Sequence, residues 1–208
     1  FAELALRSAG LGKPWAVTAE SGFADVPETH SHYNAILAAK GAGIAQGDEM
    51  GRFNPDSTIT TVQAITMAFR AIRGYANLAE LKGGYPNGYV TVAAEYGILK
   101  NINMSESVTK NDALVLINNL LDSDVLTAQY SNGEIGSFTD EGGKINIERI
   151  FGVTKKRADV KNVDMVTGKV TVVFSNGTPA EYILEDKSLA SRLGGRITMY
   201  IDDIDDTK

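Results

Sequence analysis

Cysteine is absent from these 208 residues, which removes disulfides, thiol catalysis and cysteine-ligated zinc together. Histidine occurs twice and tryptophan once. His30 and His32 stand two residues apart at the entry of a helix, so they share no helical face. A capping or surface role fits them better than zinc or acid–base chemistry. No second basic partner completes a Ser-His-Asp set, and the expected class is non-enzymatic, without a cofactor. Long apolar runs are missing as well: none approaches the roughly 20 residues that a membrane helix needs. A basic excess is also lacking. The net charge is −6, with nine basic and twelve acidic side chains in residues 1–122 and eleven against fourteen in 123–208. Neither part has the charge of a nucleic-acid binder.

The chain does have enough apolar side chains, 43%, to fold. It is organised around residues 23–75. Phe23-Ala-Asp-Val-Pro27 leads into a first helix whose apolar edge is Tyr33, Ile36 and Leu37, at helical spacing. Gly41 and Gly43 stop it. The glycines of Gly41-Ala-Gly43-Ile-Ala-Gln-Gly47 therefore close a helix, where a dinucleotide loop would have them open one. Gly47-Asp48-Glu49-Met50-Gly51-Arg52-Phe53-Asn54-Pro55 is a loop of turn formers plugged by Phe53. Thr60 and Gln63 form a capping box at the start of a second helix, with Ile65, Phe69 and Ile72 as its buried stripe. Such a unit cannot bury its apolar face alone and needs copies. Tyr96-Gly97-Ile98 answers Ala42-Gly43-Ile44, and Val108-Thr109-Lys110-Asn111-Asp112-Ala113 answers Ile59 to Ala64. Phe1 to Ala9 matches Ala64 to Ile72, so the chain is expected to begin inside a first copy.

These features together resemble the S-layer homology repeat: the Phe23–Pro27 opening, the Gly43-Ile44-x-x-Gly47-Asp48 turn, Phe53-x-Pro55 and the Ile59-Thr60 helix start. The resemblance implies an all-α repeat region, usually three repeats about a pseudo-threefold axis. It covers 1–122, with the tail of a first repeat at 1–11, a second at 23–75 and a third at 83–122. It also implies a secreted protein of the bacterial cell surface, anchored non-covalently to a wall polysaccharide, the secondary cell-wall polymer. Other surface-layer protein is a further partner class. The positions that would line the polymer groove are Asp48 and Arg52 in the loop, Thr61 and Gln63 at one helix start, and Lys110 and Asp112 at the other. Family members that bind wall polymer usually carry Thr-Arg-Ala-Glu at that helix start. Here it reads Thr60-Thr61-Val62-Gln63 and Thr109-Lys110-Asn111-Asp112, which leaves Arg52 and Lys110 as the cations for an anionic polymer. The alternative is a scaffold whose degenerate repeats pack against protein and no longer bind polymer.

After Asp122 the pattern changes. Residues 123–137 have weak periodicity and read as a linker or arm. Residues 138–208 read as a small β-rich domain, a curled sheet or partial barrel, which makes the whole α+β and multidomain. A short helix closes at Glu148–Phe151, and a strand lies near Ala158–Val163. Val170, Val172 and Phe174 share one strand face, and Ser175-Asn176-Gly177 is a hairpin turn. Ala180, Tyr182 and Leu184 share a face of the next strand. Ser188–Leu193 reads as a helical turn, and Ile197, Met199 and Ile201 as a last strand. Asp48, Asn54 and Asp56 have the oxygens for calcium but not the EF-hand spacing, and turn aspartates ordinarily bond their own backbone. Asp202, Asp203, Asp205 and Asp206 read as an acidic strand end facing water.

Overall fold

Thr60 is held extended, at φ −75° and ψ 158°. Its hydroxyl accepts the Gln63 N–H at 3.2 Å, while Gln63 Oε1 accepts the Thr60 N–H at 2.9 Å. Both arms of the capping box are therefore made, and the helix α3 (Thr61–Ala71) starts there. The same start recurs at α6 (Lys110–Leu121). Thr109 sits at φ −75° and ψ 163°, and its hydroxyl accepts the Asp112 N–H at 3.0 Å. Replacing Thr60 by alanine should cost about 0.5–2 kcal/mol; an unchanged urea midpoint would count against the cap.

The computed structural model describes residues 1–15, 22–183 and 192–202. The remaining helices are α1 (Ala2–Ser8), α2 (Tyr33–Gly41), α4 (Arg73–Leu81), α5 (Asn87–Glu95) and α7 (Asn146–Phe151). The strands are β1 (Asp124–Ser131), β2 (Glu134–Ile145), β3 (Val153–Val163), β4 (Lys169–Phe174), β5 (Pro179–Ile183) and β6 (Arg196–Asp202). The fold is α+β, in two units, Phe1–Phe151 and Gly152–Lys208.

In the first unit, α1, α3 and α6 pack pairwise, each against the other two. The entry helices lean on them in register: α2 against α1, and α5 against α3. Both entry helices end alike. Gly43 and Gly97 take φ of 74° and 69°, a conformation that costs glycine little. The next N–H, of Ile44 or Ile98, then bonds back to Ala39 or Ala93 at 2.8 and 2.9 Å. Both isoleucines are thereby driven into the interior. Helix α1 buries Ala2, Ala5 and Leu6 in the core of this unit. Phe69, Leu116 and Leu120 are fully buried. Phe53 is only half-buried, because Phe23, its ring centroid 5.4 Å away, shares the seal.

Two close approaches shape the rest of this unit. A Cβ on Gly88 would stand 2.1 Å from the Ala79 carbonyl oxygen, so α5 lies against α4 where a side chain could not fit. The start of α5 takes in Asn87 and Gly88. A Cβ on Gly74 would stand 2.3 Å from the Leu126 carbonyl oxygen, which puts β1 directly on α4. The arm expected at 123–137 is in fact β1, a turn and the start of β2. Asn132 and Gly133 have φ of 55° and 84°, the pair of positive values that a tight hairpin turn needs. β2 also runs across the expected domain boundary at 137/138, and the hairpin belongs to the helical unit. Val125 and Leu126 are buried there, and the Tyr75 hydroxyl donates to the Asp124 carbonyl at 2.8 Å. Asn146, at the start of α7 and 2% exposed, fastens the base of the hairpin. Its Nδ2 donates to the carbonyls of Leu120 at 2.9 Å and Ser123 at 3.0 Å, and its own N–H also reaches the Ser123 carbonyl.

The second unit is a four-stranded antiparallel sheet in the order β5-β4-β3-β6. One face carries its core of Ala158, Val160, Val170 and Val172. Arg196 on β6 donates from Nε to Asp159 on β3 at 2.9 Å. The expected strand faces at 170–174, 180–182 and 197–201 fall on β4, β5 and β6. Leu184, most of the Ser188–Leu193 turn, and Asp203, Asp205 and Asp206 lie outside the described residues.

Candidate functional site

The loop before α3 is organised by two carboxylates. Asp48 Oδ1 accepts the backbone N–H of Met50 and of Arg52, each at 2.9 Å. Its Oδ2 accepts from Arg52 Nη2 at 3.0 Å and from Asn54 Nδ2 at 3.1 Å. Asp25, from the opening of the unit, accepts the N–H of Phe53 at 2.9 Å and of Asn54 at 2.6 Å. The sequence reading missed Asp25. The only signal was its place in the Phe23–Pro27 opening, and nothing local says that it reaches 28 residues ahead. Partial desolvation raises the Asp25 carboxyl, but these two N–H donors outweigh it, so the group titrates below its ordinary range.

The Asp48 carboxyl is pushed down to about 2, first by the Arg52 backbone N–H, with Asn54, the Arg52 side chain and Met50 adding to it against some desolvation. A depressed carboxylate stabilises the fold above its ordinary value of 3.8, and that contribution is lost as pH falls through about 2. The Asp48 carboxyl carbon, followed by NMR in acid, should therefore titrate near 2; a midpoint at the ordinary value would mean that the loop stands open.

Five of the six groove positions are thus engaged inside the protein. Asp48 and Arg52 bond each other. Thr61 is buried, and its hydroxyl donates to the Ser105 carbonyl at 2.7 Å. Gln63 closes the α3 capping box. Asp112 is buried and accepts the Thr109 hydroxyl at 2.7 Å. Lys110 is exposed, with no hydrogen bond or ion pair among the described residues. The two helix starts adjoin, since the Val108 N–H bonds the Ile59 carbonyl at 3.0 Å. No hydrogen bond or ion pair among the described residues links Asp48 or Arg52 to them. His30 and His32 face Asp56 at 3.7 Å and Glu3 at 3.8 Å, and the His32 N–H bonds His30 Nδ1. The Asp56 side chain is 93% exposed.

Residues 22–60, which comprise the opening, α2, the Asp48 loop and the Thr60 cap, match the family model of the S-layer homology domain. The chain carries an S-layer homology domain. Relatives extend beyond it. A protein named "Cell surface protein" from Thermoanaerobacter kivui is 25% identical over 187 residues, covering 89% of this chain and 23% of that protein. A "Middle cell wall protein" from Brevibacillus brevis is 29% identical over 128 residues, covering 61% of this chain and 12% of its own length. The chain therefore spans less than a quarter of either relative. No solved structure matches it. Among the described residues no helix is long and apolar enough to cross a membrane.

Away from the S-layer homology loop, the helical unit holds a cleft of about 560 Å³. The C-terminal ends of α1, α2 and α3, the start of α4, strand β1 and helix α7 enclose it. Its lining carries Arg70, Arg73 and Arg149 and no carboxylate among the described residues. Arg70 and Arg73 are close in sequence and could have been noticed. Arg149 arrives only with α7, and no sequence spacing predicts that.

Proposed function

We propose that this chain is part of a bacterial cell-surface protein and that its helical unit attaches non-covalently to a wall polysaccharide, with no catalytic role. The match of residues 22–60 carries this reading. The recurrence of the Thr-capped helix and the glycine stop in the second and third copies supports it, as do the printed names of the two relatives. The test is sedimentation of the purified chain with cell-wall sacculi, before and after the secondary polymer is stripped. Polymer-dependent pelleting is the expected result; none, or pelleting indifferent to stripping, would overturn it.

A second reading, a scaffold that binds protein and not polymer, is favoured by one observation: the groove positions are spent on internal bonds, leaving Lys110. Thr61→Arg, which would bring back the helix-start arginine, enters a buried position and breaks the bond to Ser105. Its expected outcome is lost stability with no gain in pelleting. Lys110→Ala separates the two readings, because only polymer attachment through the groove predicts weaker pelleting by that exposed variant.

A further inference from the structure

We infer that the arginine-lined cleft between α3, α4, β1 and α7 is a binding site for an acidic saccharide. It is a second site, built from elements that mostly lie outside the matched S-layer homology residues, and its biological use rests on the wall-polysaccharide reading. The volume, about 560 Å³, is that of a small-ligand site, for which roughly 300–1,000 Å³ is usual. Three arginines, each a planar cation, are among its lining residues in a protein whose net charge is −6. Charge of that sign and planar shape suits a carboxylate, which an arginine can hold through two parallel N–H donors.

The partners already on these arginines set the pattern. Arg149 faces Glu141 at 3.6 Å, a solvent-exposed pair of the kind that contributes little. Arg70 also acts on the Tyr89 hydroxyl, which donates to Glu80. Arg73 is exposed and has no ion pair among the described residues. Arg73 is therefore the anchor for the ligand's carboxylate, with Arg149 as the second donor once Glu141 yields. The remaining lining suits a sugar ring better than a bare anion. Ala42, Ala71 and Ile150 give an apolar wall, Asn77 offers amide donor and acceptor, and Tyr130, 67% exposed, stands at the rim as a flat amphipathic face.

The experiment titrates the full chain with a glucuronate-containing disaccharide, a neutral N-acetylglucosamine disaccharide and inorganic phosphate, reading the arginine Nε–H and the β1 amides by NMR. The acidic disaccharide should shift the signals of Arg73, Arg149 and Thr127–Tyr130, and added salt should weaken it. Arg73→Ala should weaken it at least tenfold, and Glu141→Gln, which releases Arg149, should tighten it. The exposed position of Arg73 keeps its variant folded, and the unchanged dispersion of the other amides verifies that. Equal shifts from the neutral disaccharide would overturn the carboxylate's role. Equal affinity for phosphate would reduce the cleft to an anion site and overturn the saccharide. Shifts confined to residues outside the cleft would overturn its location. Sacculus pelleting that survives Arg73→Ala, with no disaccharide binding by the unmodified chain, removes the cleft and leaves the wall reading standing. Disaccharide binding without pelleting does the reverse.

Discussion

Phe69→Ala should destabilise the helical unit by about 3–5 kcal/mol, the range for emptying a buried aromatic site. The ring is wholly buried and lies 5.4 Å from that of Tyr75 and 5.9 Å from that of Tyr89, with Tyr96 set edge-on to Tyr75. Phe69 lies on α3 and these neighbours on α4 and at α5, so the hole opens where three helices meet and none can close it alone. Tyr75 cannot move far, since its hydroxyl is tied to Asp124. A domain is typically stable by only about 5–15 kcal/mol, so the variant should melt far earlier in urea. A midpoint shift worth less than about 1 kcal/mol would show that the helices collapse into the space, contrary to the usual partial relaxation of a core cavity.

Gly74→Ala is a sharper test, because two effects of known sign oppose each other. Inside a helix, alanine is favoured over glycine by about 1 kcal/mol. The added methyl, however, must stand where the Leu126 carbonyl oxygen now is, 2.3 Å away, with the Leu126 backbone carbon at 3.2 Å. Backbone cannot swing aside as a side-chain tip can, so β1 must lift from α4, and overpacking of this kind costs about 1–3 kcal/mol. The expected net result is destabilisation, together with faster exchange of the β1 amides. A stabilised Gly74→Ala protein would mean that the hairpin does not dock on α4 as described.

The elements that could be read from the sequence are those marked by local chemistry. Thr60 with Gln63, and Thr109 with Asp112, announce helix starts within four residues. Gly43 and Gly97 announce helix ends. The alternation of Val170, Val172 and Phe174 announces a strand with one buried face. The first hairpin escaped for the converse reason. Ser131-Asn132-Gly133 is the same tripeptide as Ser175-Asn176-Gly177, but β1 buries only Val125 and Leu126 and then runs outward. With no covered face there is no alternation, and the turn signal stands alone. The groove was only partly legible for a different reason. Residue type and spacing put Thr61 and Asp112 at helix starts. Whether a side chain there faces solvent or serves its own fold depends on Ser105 and Asn103, loop residues whose approach is tertiary. The arginine cleft belongs to the same class, since its third wall comes from a helix that follows the hairpin.

Asn146 has one more consequence. By holding the carbonyls of Leu120 and Ser123 it brings the chain back to the point it left, so residues 124–145 form an excursion with coincident ends. The helical unit holds those ends together with the buried Val125 and Leu126, and β1 then runs outward. The entropy of such a closed segment grows slowly, by about 0.6 kcal/mol for each doubling of length, so its tip at Asn132-Gly133 is a port. A peptide tag, a fluorescent probe or a whole foreign domain can be spliced in there while Asn146 keeps both openings shut behind it.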